Sequence, residues 1–351
     1  MRTSPVVIRV TVIGTGVVGQ WLLRAIERDR DQLRDRHGVD LVVVGLGSRR
    51  GGFVYREEGL DVAAVLAAED PSSAIAHVAL GDRWPTALAG LQATETDILV
   101  EVSQSPSSDG EPGLSYLRHA LGRGISVATS NKWPVALAGV ELTALAERHG
   151  AGFRAESTVM SGTPVLAALT TGLGGAEPIR LRGILNATVN FICSRIAAGG
   201  TYAEALAEAQ DAGLAERDPS ADVDALDSVA KVMVLSALVF GVQLEVADVA
   251  RRALSALDEA ELDAALTAGA RIREVAELDP RAGRRAVQAT RVAPDDPLFV
   301  VDGTTNEIRL EVEPLGAIAI SGPGAGRTLA GQGVFSDLIA LSRERALRGS
   351  R

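Results

Sequence analysis

The stretch Val6-Val-Ile-Arg-Val-Thr-Val-Ile-Gly-Thr-Gly-Val-Val-Gly19 decides how the chain is read. Its first part is a β-branched run interrupted only by Arg9, the pattern of a parallel strand buried on both faces. Gly14, Gly16 and Gly19 then make G-x-G-x-x-G, and Trp21, Leu22, Ala25 and Ile26 continue behind it at helical spacing. A glycine turn between strand and helix lets backbone N–H groups approach a pyrophosphate, so Gly14, Gly16, Val17, Val18 and Gly19 are predicted to bind a dinucleotide. A bare glycine pattern would be weak and equally consistent with a structural turn; the flanking strand and helix favour binding.

Working outward, Leu41–Leu46 reads as the second buried strand, with the adenosine ribose expected at its carboxyl end. An acidic residue there would accept from the 2′-hydroxyl, but the sequence is Gly-Ser48-Arg49-Arg50-Gly-Gly. A hydroxyl and two guanidiniums suit a 2′-phosphate, so NADP(H) is expected over NAD(H); the alternative is a solvated basic loop. Asp97–Val102 is a third strand, running into the turn-rich Ser103-Gln-Ser-Pro-Ser-Ser. Leu114–Leu121 reads as a crossover helix and Ile125–Ala128 as a strand entering Thr129-Ser130-Asn131-Lys132-Trp-Pro134. Pro134 suits a first helical turn, placing Asn131 and Lys132 at the carboxyl edge of the sheet, although Lys132 taken alone reads as a surface lysine. Residues 55–92 are not placed by pattern.

Strand and crossover stop alternating after the helix ending at His149, which sets a domain boundary near Gly150. Beyond it, Phe153–Val159 reads as a strand, Pro164 as a helix entry, Arg180–Leu185 as a strand and Asn186–Ile196 as a helix start. Arg251–Glu277 reads as helical and charged, followed by strands at Leu298–Val301, Glu307–Val312 and Ala317–Ile320. The expected fold is α/β: a Rossmann-type nucleotide-binding domain (1–150 with 318–351 returning) plus an α+β domain with a mixed sheet (151–317).

Composition narrows the partners. Net charge −10 and pI near 5.1 argue against nucleic acid or an anionic membrane, and 3% aromatics leave little stacking surface for bases. A small-molecule ligand is the expectation. The single cysteine, Cys193, excludes an internal disulfide and reads as buried filler in a reducing cytoplasm. The N-terminus lacks a signal-peptide pattern, and the longest mainly apolar run, Val232–Val242, is shorter than the roughly 20 residues a spanning helix needs.

Within Ala203–Gly241, Asp218-Pro219 reads as an N-cap with a helix running towards Phe240. On that helix Asp224, Asp227 and Lys231 would fall within about 60° of one another at roughly 100° per residue. Lys231 is the sole charge in an otherwise uncharged stretch from Ser228 to Leu244 and must be paired or lose its proton if buried. An i, i+4 ion pair explains this without chemistry; a substrate site with a proton-transfer lysine is the alternative.

Several separated motifs agree on one family. Gly-Thr-Gly-Val-Val-Gly19, Thr-Ser-Asn-Lys132, the run Glu156–Pro164, Gly183–Ile192, Ala212–Lys231 and Gly322–Gly326 stand in the order in which they occur in homoserine dehydrogenases. The resemblance covers Ile8 to about Ile339 and implies reversible conversion of L-aspartate 4-semialdehyde to L-homoserine with NAD(P)H, in threonine and methionine biosynthesis, by a cytoplasmic homodimer. It implies that Lys231 and Lys132 are catalytic and that Glu216, Asp222, Asp227 and Thr188 bind substrate. Ser103, Ser130, Lys132 and Gly324 join the cofactor set, while Glu156, Val159, Ser161 and Thr163 would hold a monovalent cation such as sodium, mainly through main-chain oxygens. The chain is expected to be a short form without the regulatory domain that many members add. Three positions depart from the family pattern: Ala187 and Val189 replace a glycine and a threonine, and Ala225 replaces a glycine. They leave open a related reductase of another small amino or hydroxy aldehyde; a non-catalytic dinucleotide sensor is the further rival.

Overall fold

The β-branched N-terminal run forms β1 (Val6–Ile13), which is parallel to β2 (Val39–Ser48) on one side and to β5 (Ile98–Glu101) on the other. The computed structural model describes residues 4–77, 81–215, 223–324 and 326–349. Within them, two units separate: Met1–Thr158 with Arg327–Arg351, and Val159–Gly326.

The first unit is a seven-stranded sheet in the order β4-β3-β2-β1-β5-β6-β7, where β3 is Gly52–Tyr55, β4 Asp82–Trp84, β6 Ser126–Thr129 and β7 Phe153–Arg154. Strands β2, β1, β5, β6 and β7 run parallel; at the edge β3 pairs antiparallel with β2, and β4 antiparallel with β3. Strand β4 lies in the region that sequence pattern does not place; at three residues it is too short to show periodicity. Helices α1 (Val17–Arg28), α2 (Gly113–Gly122) and α3 (Lys132–His149) connect the parallel strands. A C-terminal helix, Arg327–Gly349, belongs to this unit, with Val334, Phe335, Leu338 and Leu341 in the same apolar core as Val10, Leu22 and Ile26. Trp21 meets Phe335 edge to face at 6.4 Å.

The second unit is a six-stranded sheet ordered β13-β12-β8-β10-β11-β9. Its members are β8 (Glu177–Ile184), β9 (Ala250–Arg252), β10 (Arg271–Asp279), β11 (Arg284–Val292), β12 (Thr305–Glu313) and β13 (Gly316–Pro323). All neighbours are antiparallel except β11 and β9, so the sheet is mixed as expected. Against it pack α4 (Ala187–Ala197) and α6 (Leu226–Val239), with α5 (Tyr202–Asp211) packed on α4.

Four sequence expectations are corrected. Arg251–Glu277 is not a helical stretch: it contains β9, a short helix (Glu259–Thr267) and most of β10. Strand β10 hid because Arg273 and Glu274 are buried in it, at 0% and 2% exposure, and a charged strand interior mimics a helix face. The expected strand Leu298–Val301 falls in a 3₁₀ turn, Pro297–Val300, since Asp296 caps the Leu298 N–H at 2.9 Å and Pro297 starts the turn. The strand from Phe153 stops at Arg154, because side chains of the next residues bond locally: the Thr158 hydroxyl donates to the Ala155 carbonyl at 2.6 Å. Finally, a single helix running to Phe240 is interrupted at Ala225, which takes a left-handed backbone with φ 63°, so that α6 starts at Leu226; Asp218 and Pro219 lie outside the described residues.

Candidate active site

The three glycines of the first turn meet three different surroundings. At Gly14, with φ 106°, an added Cβ would lie 2.6 Å from the Val102 carbonyl. At Gly19 it would lie 1.9 Å from the Gly14 carbonyl oxygen, so strand and helix touch there. At Gly16 it would meet nothing within 4 Å. Gly16 is also the N-cap of α1, which has no side-chain cap and no acidic residue in its first turn. The positive end of α1 therefore has no cap from its N-cap side chain and open space beside Gly16, a turn that fits a pyrophosphate. Val17 is exposed at its rim and Val18 packs on the core.

Ser48 ends β2, Arg49 and Arg50 follow in the turn to β3, and the three are not equivalent. The Ser48 hydroxyl donates to the Ser72 carbonyl at 2.5 Å and accepts from the Gly51 N–H at 2.8 Å. Arg50 is exposed and pairs with Asp70 at 2.9 Å. Arg49 is exposed and has no ion pair among the described residues.

At the carboxyl ends of β5 and β6 a hydrogen-bonded hub holds two loops. Glu101, fully buried, accepts from the Ser103 N–H at 2.9 Å, from the Ser103 hydroxyl and from the Thr129 hydroxyl at 3.2 Å. Thr129 in turn accepts from the Asn131 N–H at 2.9 Å, and the Asn131 amide donates to Ser105 at 2.9 Å. The Ser130 N–H donates to the Glu101 carbonyl at 3.2 Å. Lys132 follows as the first residue of α3, half-buried, with Asn131 as its N-cap.

In the second unit Lys231 is buried on α6, and its ammonium lies 2.8 Å from Asp227 Oδ2, one turn earlier. It also donates to the Leu185 carbonyl at 2.6 Å. That carbonyl, just past β8, accepts a second 2.6 Å bond from the amide of Asn306 on β12, itself fully buried. Asn186 caps α4 through the Val189 N–H at 2.9 Å and donates to Asp227 at 3.3 Å. Among the described residues the lysine is thus held by one carboxylate and one carbonyl.

The remaining expected residues lie as follows. The Thr188 hydroxyl donates to the Leu214 carbonyl at 2.9 Å, leaving its lone pairs as acceptors. Asp224 precedes α6 and accepts from Ser255 at 3.1 Å, so it does not share the helix face of Asp227 and Lys231. Glu216 and Asp222 lie outside the described residues. Glu156 is buried and its N–H donates to Asp337 at 2.9 Å. Val159 is buried; the Ser161 hydroxyl donates to Gly324 O at 3.2 Å and that of Thr163 to Pro323 O at 3.3 Å. Gly324 abuts Asn306, whose amide would lie 2.1 Å from an added Cβ. Cys193 is buried, its thiol pushed up to about 12 by desolvation, as inert filler requires.

A model of the family described as homoserine dehydrogenase matches residues 164–339. The chain belongs to the homoserine dehydrogenase family. It is 34% identical over 336 residues to an NAD(+)-dependent homoserine dehydrogenase of Pseudomonas canavaninivorans, covering 95% of this chain and 96% of that protein. It is 37% identical over 248 residues to a homoserine dehydrogenase of Sulfurisphaera tokodaii, covering 71% of this chain and 78% of that one. A hyperthermophilic archaeal homoserine dehydrogenase in complex with NADPH superposes with a TM-score of 0.79 at 28% identity, covering 96% of this chain and 98% of that chain. These relatives fix the class of chemistry as that of NAD(P)-dependent oxidoreductases acting on a CH–OH group.

Among homoserine dehydrogenase motifs, the departures at Val189 and Ala225 have structural explanations. Val189 is fully buried with Ile192 and Cys193 in the apolar cluster under α4. Ala225 occupies a left-handed position, where glycine's advantage is conformational. Sequence reasoning missed Glu101, Asn186 and Asn306. A charge closing the apolar run Asp97–Val102 was a signal for Glu101; nothing in Thr305–Glu313 marked Asn306, because it acts through a partner distant in sequence.

Proposed function

We propose that this chain interconverts L-aspartate 4-semialdehyde and L-homoserine with NAD(P)H, and that Lys231 handles the proton at the reacting oxygen. The observation that carries this reading is a buried ammonium that, among the described residues, bonds Asp227 and Leu185 O; a lysine has three donors, and the third suits a substrate oxygen. A bound nicotinamide supplies or accepts the hydride. In the reducing direction Lys231 donates a proton to the alkoxide that develops as carbon gains hydride, and Asp227 orients the lysine. In the oxidising direction the same nitrogen takes the hydroxyl proton. Lys132 has a second proton-transfer role at the nicotinamide end. Glu216 and Asp222 bind the substrate ammonium, and Thr188 accepts from the substrate.

NADP(H) is the preferred cofactor, with NAD(H) also used, and Arg49 is the side chain on which the preference depends, since Ser48 and Arg50 are engaged by Ser72 and Asp70. The main-chain oxygens of Glu156, Val159, Ser161 and Thr163 hold a monovalent cation such as sodium. The active species is a cytoplasmic homodimer built on the second unit, with Gly324 in the cofactor set. No helix among the described residues is long and apolar enough to cross a membrane. A spectrophotometric assay of homoserine oxidation with NADP and NAD in parallel tests the reading. Wild-type protein turns over with both, Arg49→Glu lowers kcat/KM for NADP more than for NAD, and Lys231→Ala and Lys132→Ala each lose about 10²- to 10⁴-fold in kcat. Near-wild-type kcat in both lysine variants would refute the assignment.

A further inference from the structure

Asp70 stands in the stretch 55–92 that sequence pattern does not place, and the fold brings it to the turn after β2. It is the N-cap of a one-turn helix, Pro71–Ala74. Its Oδ2 lies 2.9 Å from a guanidinium nitrogen of Arg50. The same short helix is fastened to that turn: the Ser72 carbonyl accepts from the Ser48 hydroxyl at 2.5 Å, and a Cβ on Gly51 would lie 2.5 Å from the carbonyl oxygen. Ser72 also reaches the glycine turn, where the Thr15 hydroxyl donates to the Ser72 hydroxyl at 3.1 Å and the latter donates on to Thr15 O at 3.3 Å. Asp70 thus belongs to a segment that touches both places the dinucleotide reading assigns, the ribose end at β2 and the pyrophosphate at the turn after β1.

The carboxylate is ionised at neutral pH. The Ser73 hydroxyl donates to Oδ2 at 2.8 Å and the Ser72 N–H to Oδ1 at 3.1 Å, and with Arg50 they hold the carboxyl below its ordinary value. The Arg50 and Asp70 side chains are 70% and 44% exposed, so their pairing adds little to stability. Its effect falls on what arrives. A 2′-phosphate drawn to Arg50 meets a guanidinium whose charge is already offset, with a like-charged carboxylate 2.9 Å from that guanidinium. A 2′-hydroxyl carries no charge and is a donor that a carboxylate accepts.

We propose that Asp70 is a specificity-determining residue that tempers the preference for NADP(H) and keeps NAD(H) usable. The inference rests on the reading of the turn after β2 as the ribose site with Arg49 as its basic residue, and adds an opposing charge from outside that turn. A sheet of this kind that favours NAD carries an acidic residue at the ribose. Here the end of β2 is Ser48, and the acidic group comes from Asp70.

The test is equilibrium binding of NADP+ and NAD+ to wild-type protein, Asp70→Asn and Arg49→Glu. Asparagine caps a helix as well as aspartate does, so Asp70→Asn removes the charge and keeps the short helix. It is expected to raise the ratio of NADP+ to NAD+ affinity about tenfold, chiefly by tightening NADP+. An unchanged ratio, which a merely structural role would give however far both affinities fall, overturns the proposal, and so does a lower one. Asp70→Glu keeps the charge and must stay near the wild-type ratio; a rise equal to that of Asp70→Asn also overturns it. If Asp70→Asn does not fold, Asp70→Ser, neutral and also a good N-cap, must show the same rise. The two failures separate: where Arg49→Glu lowers the ratio but Asp70→Asn does not raise it, only the role of Asp70 falls, and where wild-type protein binds neither dinucleotide, the ribose reading falls with it.

Discussion

Lys231 and Asn306 donate to one oxygen: Nζ and Nδ2 each lie 2.6 Å from the Leu185 carbonyl. A carbonyl offers two lone pairs, so the amide confines the lysine to the other. The lysine therefore has its position set from β12 as well as from its own helix. Asn306→Ala is expected to lower kcat by about 10- to 100-fold with a smaller change in KM, the cost of misplacing a reacting group by about 1 Å. Steady-state kinetics in both directions checks this. Wild-type kcat in the variant would mean that the shared carbonyl does not matter.

Ala225 sits at φ 63° and ψ 12°, immediately before α6, and is fully buried. A non-glycine residue there costs about 1–2 kcal/mol, while removing its buried methyl forfeits about 0.8 kcal/mol. Ala225→Gly should thus leave stability within about 1 kcal/mol of wild type. Ala225→Val, β-branched at positive φ, should cost more than about 2 kcal/mol. Chemical denaturation of the two variants compares them directly. Equal tolerance of glycine and valine would contradict the left-handed start of the helix.

The glycine turn separates binding from folding. Gly16→Ala adds a methyl with nothing within 4 Å, so its melting temperature should stay near wild type while affinity for the dinucleotide falls about tenfold or more. Gly19→Ala drives a methyl to 1.9 Å from the Gly14 oxygen and should cost about 1–3 kcal/mol of stability. Thermal melts with and without NADPH distinguish these outcomes. A Gly16→Ala protein as unstable as Gly19→Ala would show that the open space is not there.

Asp337 gives a pH signature. Burial, with a contribution from the nearby charge of Glu156, pushes its carboxyl up from the ordinary 3.8 to about 7, against the Glu156 N–H that lowers it. The folded state therefore holds this proton more tightly than the unfolded chain. The linked stability is fully present below pH 3.8 and is lost as pH rises through about 7. Asp337→Asn should remove that loss, so that its advantage over wild type grows between pH 5 and pH 8 by on the order of 2–3 kcal/mol. Denaturation curves at several pH values in that range measure it; a difference between the two proteins that does not vary with pH would refute it.

The sequence by itself determined the elements whose evidence is local. A β-branched run, a glycine turn and a helical repeat stand next to one another from Val6 to Ile26, so the first turn of the nucleotide-binding sheet was legible without coordinates. The lysine in an apolar helix was legible for the same reason, since Asp227 lies one turn away. Only tertiary structure decided what depends on distant partners. The charged strand β10 became a strand because β8 and β11 pair with it and the fold buries Arg273 and Glu274. The break at Ala225 separated Asp224 from the face of Lys231, and Asn306 reached the lysine's carbonyl across 121 residues of chain. Propensity and periodicity report what neighbours along the chain prefer, whereas burial of a charge and the sharing of an acceptor are settled by groups that only the folded chain brings together.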